Sequence, residues 1–111
     1  MKKLELNLSE RLASISILNG FKGNLDTLSV VLEDIRKFEI SDSDWKKADK
    51  KEIKVGNEVR WEWNNDLGGM KDIEIDDRTA KYMKEDIEKR DKEGQFTLVD
   101  KPYMTLLEKL K

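Results

Sequence analysis

Cysteine and histidine are both absent from the 111-residue sequence. Without cysteine the chain can form neither disulfide bonds nor thiolate metal sites, and it has no thiol nucleophile. Without histidine it lacks the side chain that most often serves as a general base and as a zinc ligand. No motif indicates a lysine or carboxylate mechanism instead. We therefore predict a protein that is not an enzyme and that binds no cofactor or metal.

Long apolar runs and an excess of either charge are absent too. No run approaches the roughly 20 apolar residues that cross a membrane, and the lysine-containing start lacks the apolar core of a signal peptide. The 22 basic and 24 acidic side chains give a net charge of −2, whereas a general polyanion binder normally has a basic excess. These features predict a soluble cytoplasmic protein that does not interact with membranes.

The composition is strongly charged, with 41% charged and 37% hydrophobic residues. Disorder is the competing interpretation of so polar a chain, but the apolar residues recur at helical and strand spacings. A chain of 111 residues suits one hydrophobic core. The sequence therefore predicts a single domain over residues 1–111 with a small core.

The first third of the chain contains two helical patterns. The alternation in KLELNL predicts a short strand, or a lead-in to a first helix that Asn7 or Ser9 caps and Gly20 ends. A second helix, capped by Asn24 or Asp26, has the broadest apolar face. The residues of that face are Leu28, Val31, Leu32, Ile35 and Phe38.

The middle of the chain predicts a short helix followed by strands. Ser41 stands three residues before Asp44, the spacing of a capping box, and predicts a third helix over residues 42–50. EIKVGNEVRWEW then reads as a hairpin that turns at Gly56-Asn57, and KDIEI reads as a third strand of the same sheet. The intervening NNDLGG is typical of a flexible hairpin tip rather than of a phosphate-binding loop.

The last third returns to helical spacings. Asp76 or Asp77 caps a helix that ends at Gly94, and a final helix starts near Asp100, or at Thr97 with a kink at Pro102. The whole pattern predicts an α+β fold in which about five helices pack against a small antiparallel three-stranded sheet.

Tryptophan supplies the candidate protein-binding residues. Trp45 lies on the short third helix, and Trp61 and Trp63 alternate along one strand, on the same face as Val59. Tryptophan is over-represented at interface hot spots, although core packing is the commoner role of any single tryptophan. We expect this aromatic face to cover the helices. The leading hypothesis is a binding protein that acts through protein contacts, with a partner protein or as a homodimer.

A basic run gives the alternative hypothesis. Helix, helix, helix and hairpin is the order of a winged helix, with residues 42–50 in the recognition position and Gly56-Asn57 at the wing tip. The candidate DNA-binding residues are Lys46, Lys47, Lys50, Lys51, Lys54 and Arg60. Acidic residues interrupt the run, and the proposed recognition helix has no arginine, asparagine or glutamine to read bases. A solvated face is the simpler interpretation.

Acidic clusters predict helix caps rather than metal sites. In SDSD, a tryptophan and two lysines follow where a calcium loop would have a glycine and a closing glutamate. Acids at a helix N-terminus are favourable without any metal. Asp76-Asp77 has the same interpretation.

Several segments together resemble a set of small phage and prophage proteins of about this length. They are LSERLASISIL, DTLSVVLEDIRKF, VRWEW followed by KDIEI, and the terminal LLEKL. The shared features belong to the scaffold, so the resemblance implies a phage or prophage origin but no activity and no functional residue. The loop around residues 64–72 departs from the family pattern.

Overall fold

The computed structural model describes all 111 residues. They form six α-helices, four strands and one short 3-10 turn, joined by loops. In chain order the helices and strands are β1 (Lys2–Leu6), α1 (Leu8–Asn19), α2 (Leu25–Phe38), α3 (Asp42–Lys47), β2 (Lys51–Val55), β3 (Glu58–Glu62), α4 (Asn65–Gly68), β4 (Lys71–Ile75), α5 (Asp77–Lys92) and α6 (Lys101–Leu110). The α+β class with helices packed on small antiparallel sheet structure is confirmed. No helix has the length and apolar character that crossing a membrane would require.

The strands form two separate sheets instead of one three-stranded sheet. β2 and β3 make the predicted hairpin, whereas β4 pairs antiparallel with β1, so that Leu4 lies opposite Ile73. Both β1 and β4 bury every second side chain, while β2 and β3 bury none. Pairing β4 with β1 therefore places two apolar strand faces on one core, which pairing with β3 would not achieve.

The core lies between the β1–β4 sheet and four helices, α1, α2, α5 and α6. Fourteen buried apolar side chains form one cluster. They are Leu4, Leu6, Ala13, Ile17, Leu18, Val31, Phe38, Ile73, Ile75, Ala80, Met83, Ile87, Leu106 and Leu110. The hairpin β2–β3 contributes no residue to this cluster, so it is an appendage of the core.

Side chains cap the long helices at the predicted positions. Asn7 accepts the N–H of Glu10 at 2.8 Å, and the Glu10 carboxylate accepts the N–H of Asn7 at 3.0 Å. Asn24 caps α2, and Asp76 caps α5. Hydrogen bonds from the side chain and then the N–H of Arg78 lower the pKa of Asp76 to about 2. The α5 cap therefore stays ionised through the neutral range.

The interior face of α2 differs from the predicted one at Leu32. That side chain is exposed, whereas Asp34 is buried beside Val31 and Phe38. Successive helical residues are about 100° apart, so Leu32 points well away from the direction that Val31 takes into the core. α2 is packed on one side only, and the leucines on its other side remain in solvent.

Residues 64–69 connect the two sheets and are not the tip of a hairpin. Asn64 accepts the N–H groups of Asp66 and Leu67 and so caps the single helical turn α4. A Cβ added at Gly68 would lie 2.8 Å from Leu8 Cδ1 and 3.2 Å from Ala48 Cβ. Glycine is required there because α4 packs directly against the start of α1 and the end of α3.

Candidate functional site

The structure brings the three tryptophans into one cluster, in which Trp63 packs on Trp45 and Lys50 lies against Trp45 and Trp61. The rings of Trp45 and Trp63 meet edge to face, with centroids 5.2 Å apart. The ammonium nitrogen of Lys50 lies 4.3 Å from the ring centroid of Trp45 and 4.5 Å from that of Trp61. These are cation–π distances. We call Trp45, Lys50, Trp61 and Trp63 the tryptophan surface.

The short helix α3 positions Trp45. Ser41 and Asp44 form the predicted capping box at its start, and hydrogen bonds from the N–H and side chain of Ser41, with the Arg11 guanidinium nearby, lower the pKa of Asp44. α3 ends at Lys47, three residues earlier than predicted, because Asp49 takes a left-handed backbone conformation with φ of 55°. The turn that results brings Lys50 back over Trp45, whose carbonyl accepts the Lys50 N–H at 3.2 Å.

Arg11 fixes α3 to the body of the protein. Its buried guanidinium donates to the carbonyl of Phe38 at 3.2 Å and also to the carbonyl of Glu39. It lies 3.3 Å from the carboxylate of Asp44. One buried side chain of α1 therefore supplies hydrogen-bond donors to the carbonyl groups at the end of α2 and also pairs with Asp44 in the first turn of α3. Trp45 follows Asp44 directly, so these contacts with α1 set its position.

Trp63 attaches the hairpin to the rest of the protein. Its indole N–H is shared between Ser9 Oγ at 3.2 Å and Asn65 Oδ1 at 3.1 Å. The Ser9 hydroxyl donates to the same Asn65 oxygen at 3.0 Å. Together with the hydrogen bond from the Asn64 N–H to the Ala48 carbonyl at 2.7 Å, these contacts tie the base of the hairpin to α1 and α3.

Trp61 faces the solvent. It is 52% exposed, and its indole N–H has no partner within the chain. Alternation places it on the same strand face as Val59, as predicted, and Val59 is also exposed. The aromatic face is therefore divided: Trp63 and Trp45 pack inward, whereas Trp61 and Val59 stay uncovered.

The candidate DNA-binding residues are all exposed, on α3, on the hairpin and, for Lys50, in the turn between them. Two of them are neutralised locally, because Lys51 lies 3.1 Å from Asp49 and Arg60 lies 3.9 Å from Glu58. The strand register puts Lys51 and Arg60 on one face of the hairpin and Lys54 on the other. The structure therefore does not gather these six charges into one basic stripe.

Residue type predicts the three tryptophans as candidates, but it does not predict the position of Lys50. The basic run predicts Lys50 as a candidate DNA-binding residue, whereas in the structure its ammonium group lies against two indole rings. The only signal for this contact in the sequence is the five-residue spacing of Trp45 and Lys50.

The acidic residues do not gather into a metal-binding arrangement. No group of three or more acidic side chains converges anywhere in the structure. Asp44 completes the capping box of α3 and Asp76 is the N-cap of α5, as their positions predicted. What the tryptophan surface offers chemically is apolar and aromatic contact with a flanking positive charge.

Comparison with known proteins supplies no relative for this arrangement. No family model matches the chain, and no curated protein or solved structure is significantly similar to it.

Proposed function

We propose that this chain is a phage-derived accessory protein without enzymatic activity, and that it binds a partner protein through the tryptophan surface. The phage origin follows from the sequence resemblance alone. Phage genes on both sides of its own gene would support that origin. The binding role rests on the geometry of Trp61 and its neighbours.

The observation that carries the proposal is the uncovered Trp61 on a positioned hairpin. Lys50 fixes one side of the ring, and the hydrogen bonds of Trp63 fix the base of the strand. A large aromatic ring that is already oriented loses little conformational freedom on binding. Val59, two residues away on the same face, extends the apolar contact area. Such an aromatic group, left in solvent and rimmed by polar residues, is typical of a protein-binding hot spot.

Trp61→Ala is the variant that tests the proposal. We expect it to fold normally, because Trp61 is half exposed and outside the core, and to bind the partner about 30-fold more weakly, equivalent to about 2 kcal/mol. The partner is first captured from a lysate of the bacterium that carries the gene. Its affinity for the purified wild-type and variant proteins is then measured by calorimetry.

Leu25→Ala is the matched control. Leu25 is 81% exposed on α2, which contributes nothing to the tryptophan surface, and its variant should bind as the wild type does. Equal binding by the wild-type protein and a folded Trp61→Ala protein would overturn the assignment of Trp61 as the anchor. Trp63→Ala is not a clean test, since it also removes the hydrogen bonds that hold the hairpin.

DNA binding through α3 and the hairpin is the second candidate function, favoured by the exposure of all six basic residues. The shape of α3 argues against it. Six residues give a helix about 9 Å long. Recognition helices place their N-terminal residues against the bases, and here that turn carries Asp42 and Asp44, which would repel the phosphates.

Fluorescence anisotropy with a labelled duplex separates the two functions. We expect no binding at low ionic strength. Affinity that falls steeply as salt is added, and that weakens in Lys46→Ala and Lys54→Ala proteins, would favour the DNA-binding function instead. The two lysines lie on α3 and on β2, and neither forms an ion pair within the chain, so their loss should not disturb the fold.

A further inference from the structure

We propose that two copies of this chain form a symmetric dimer in which Leu98 and Val99 of each copy enter an apolar groove between α5 and α6 of the other. This interface lies on elements that contribute nothing to the tryptophan surface. It is therefore independent of the proposed partner binding. Three observations support this dimer: the exposed apolar side chains of Leu98 and Val99, the groove beside them, and charges that match across the contact.

The groove has a volume of about 340 Å³ and a mostly apolar lining. Its floor is made by Ile87 of α5 and by Tyr103 and Leu107 of α6, with Phe96 packed on Tyr103 at a ring distance of 5.2 Å. Met104 forms one wall and is itself largely exposed. Cavities of this size and character are typical of sites that take apolar groups.

Leu98 and Val99 lie on a single 3-10 turn, Leu98–Asp100, which precedes α6. We call this turn the knob. Leu98 is 89% exposed and Val99 is 84% exposed, the two most exposed large apolar side chains of the chain. Asp100 fixes the turn by accepting the Thr97 N–H at 2.8 Å and the Thr97 hydroxyl at 3.2 Å. The two side chains are thus presented in a defined position, and the groove of their own copy does not receive them.

Charge complementarity selects a second copy as the occupant. Three carboxylates, those of Asp91, Asp100 and Glu108, line the groove, so an apolar group that enters it should be accompanied by a positive charge. Lys101 supplies that charge, because it follows the knob immediately and is exposed. The knob's own carboxylate, Asp100, is held by its hydrogen bonds from Thr97. The same surface therefore holds both the apolar knob with its lysine and the acidic-edged groove. A surface that is complementary to itself forms an isologous, two-fold interface.

Leu98→Asp tests the dimer in the full-length protein. We expect wild-type protein to sediment as a dimer in the micromolar range, and the Leu98→Asp protein to be monomeric, with its dissociation constant raised at least about 30-fold. Leu98 makes so little contact within its own chain that the variant should melt at the wild-type temperature. Leu25→Asp changes a similarly exposed leucine on α2; it is the matched control and should remain dimeric.

Mixing two variants tests the reciprocal arrangement. Met104→Arg should block the groove but leave the knob intact, and it should be monomeric alone. Mixed with Leu98→Asp protein, it restores one knob-and-groove pair, so heterodimer should form where neither variant associates alone. Leu98→Asp protein should still capture the partner that depends on Trp61, which separates this proposal from the proposed function.

Four results would overturn the dimer. They are a wild-type protein that is monomeric up to millimolar concentration, a Leu98→Asp protein that dimerises normally, a dimer dispersed by Leu25→Asp or Trp61→Ala, and a mixture that gives no heterodimer. A dimer lost in Trp61→Ala protein would assign the self-association to the tryptophan surface instead.

Discussion

Asp34→Ala is expected to lower the free energy of unfolding by about 2–4 kcal/mol, because it leaves the Thr79 hydroxyl and the Asp76 N–H without their common acceptor. Asp34 is buried on α2. One carboxylate oxygen accepts the Asp76 N–H at 3.1 Å and the Thr79 hydroxyl at 2.5 Å. The other lies 3.0 Å from the ammonium group of Lys37. Without this carboxylate, the fully buried Thr79 hydroxyl and the first turn of α5 lose their acceptor.

Urea denaturation of two variants measures the effect and its origin. Asp34→Asn keeps the shape and one acceptor oxygen, so it should lose clearly less stability than Asp34→Ala. In the double variant Asp34→Ala/Thr79→Val, no buried hydroxyl is left unpaired, and its loss should be smaller than the sum of the single losses. Strictly additive losses, or a loss below about 1 kcal/mol for Asp34→Ala, would contradict the role given to this carboxylate.

The helices could be predicted from the sequence because their signals are local. Asn7, Asn24, Ser41 and Asp76 each supply a cap within a few residues of the helix that they start. Apolar residues at spacings of three and four, Ala80, Met83 and Ile87, predict the core face of α5, and all three are buried. Pro102 lies in the first turn of α6, which agrees with the predicted start near Asp100 and not with the alternative start at Thr97.

Strand pairing could not be predicted in the same way. Alternation shows which face of a strand is apolar but not which strand lies beside it. The glycine turn at Gly56 gives the β2–β3 pairing directly, whereas β1 and β4 are separated in the sequence by most of the helices and by the hairpin, and no local signal joins them. The prediction of a single three-stranded sheet was wrong for this reason.

The candidate site was predictable in its residues but not in its geometry. Residue type alone singled out the tryptophans, and alternation correctly placed Trp61 beside Val59. The division between an inward Trp63 and an exposed Trp61 depends on where Ser9 and Asn65 lie, and Ser9 is 54 residues away from Trp63 in the chain. Such contacts are fixed only by the complete fold.

Buried charges were the least predictable feature. In a chain with 41% charged residues, nothing marks Glu10, Arg11 or Asp34 as interior. A helical position of the right phase can take a charge if a distant partner compensates it. The partner of Glu10 is Lys109, which lies 99 residues further along the chain. Sequence patterns do not report pairs at that separation.

Lys109→Met is expected to cost about 3 kcal/mol, the second large effect, because it leaves the buried Glu10 carboxylate without its counter-charge. The Lys109 ammonium group lies 2.7 Å from Glu10 Oε1 and donates to the Glu5 carbonyl at 2.8 Å. The other carboxylate oxygen, Oε2, is buried without a hydrogen-bond partner. The Lys109 side chain is 31% exposed, so water can enter where it was, which places the cost at the lower end of the range for broken buried pairs.

Neutralising the carboxylate should rescue most of that loss. Glu10→Gln keeps an oxygen that can accept the Asn7 N–H of the α1 cap but carries no charge that needs compensation. We therefore expect the double variant Glu10→Gln/Lys109→Met to be more stable than Lys109→Met alone, as measured by urea denaturation. A double variant less stable than Lys109→Met would show that Lys109 acts by packing and by its bond to Glu5, rather than by its charge. Since this lysine joins α6 to α1 and β1, its loss should also loosen the groove wall that α6 forms, and so weaken the proposed dimer together with the fold.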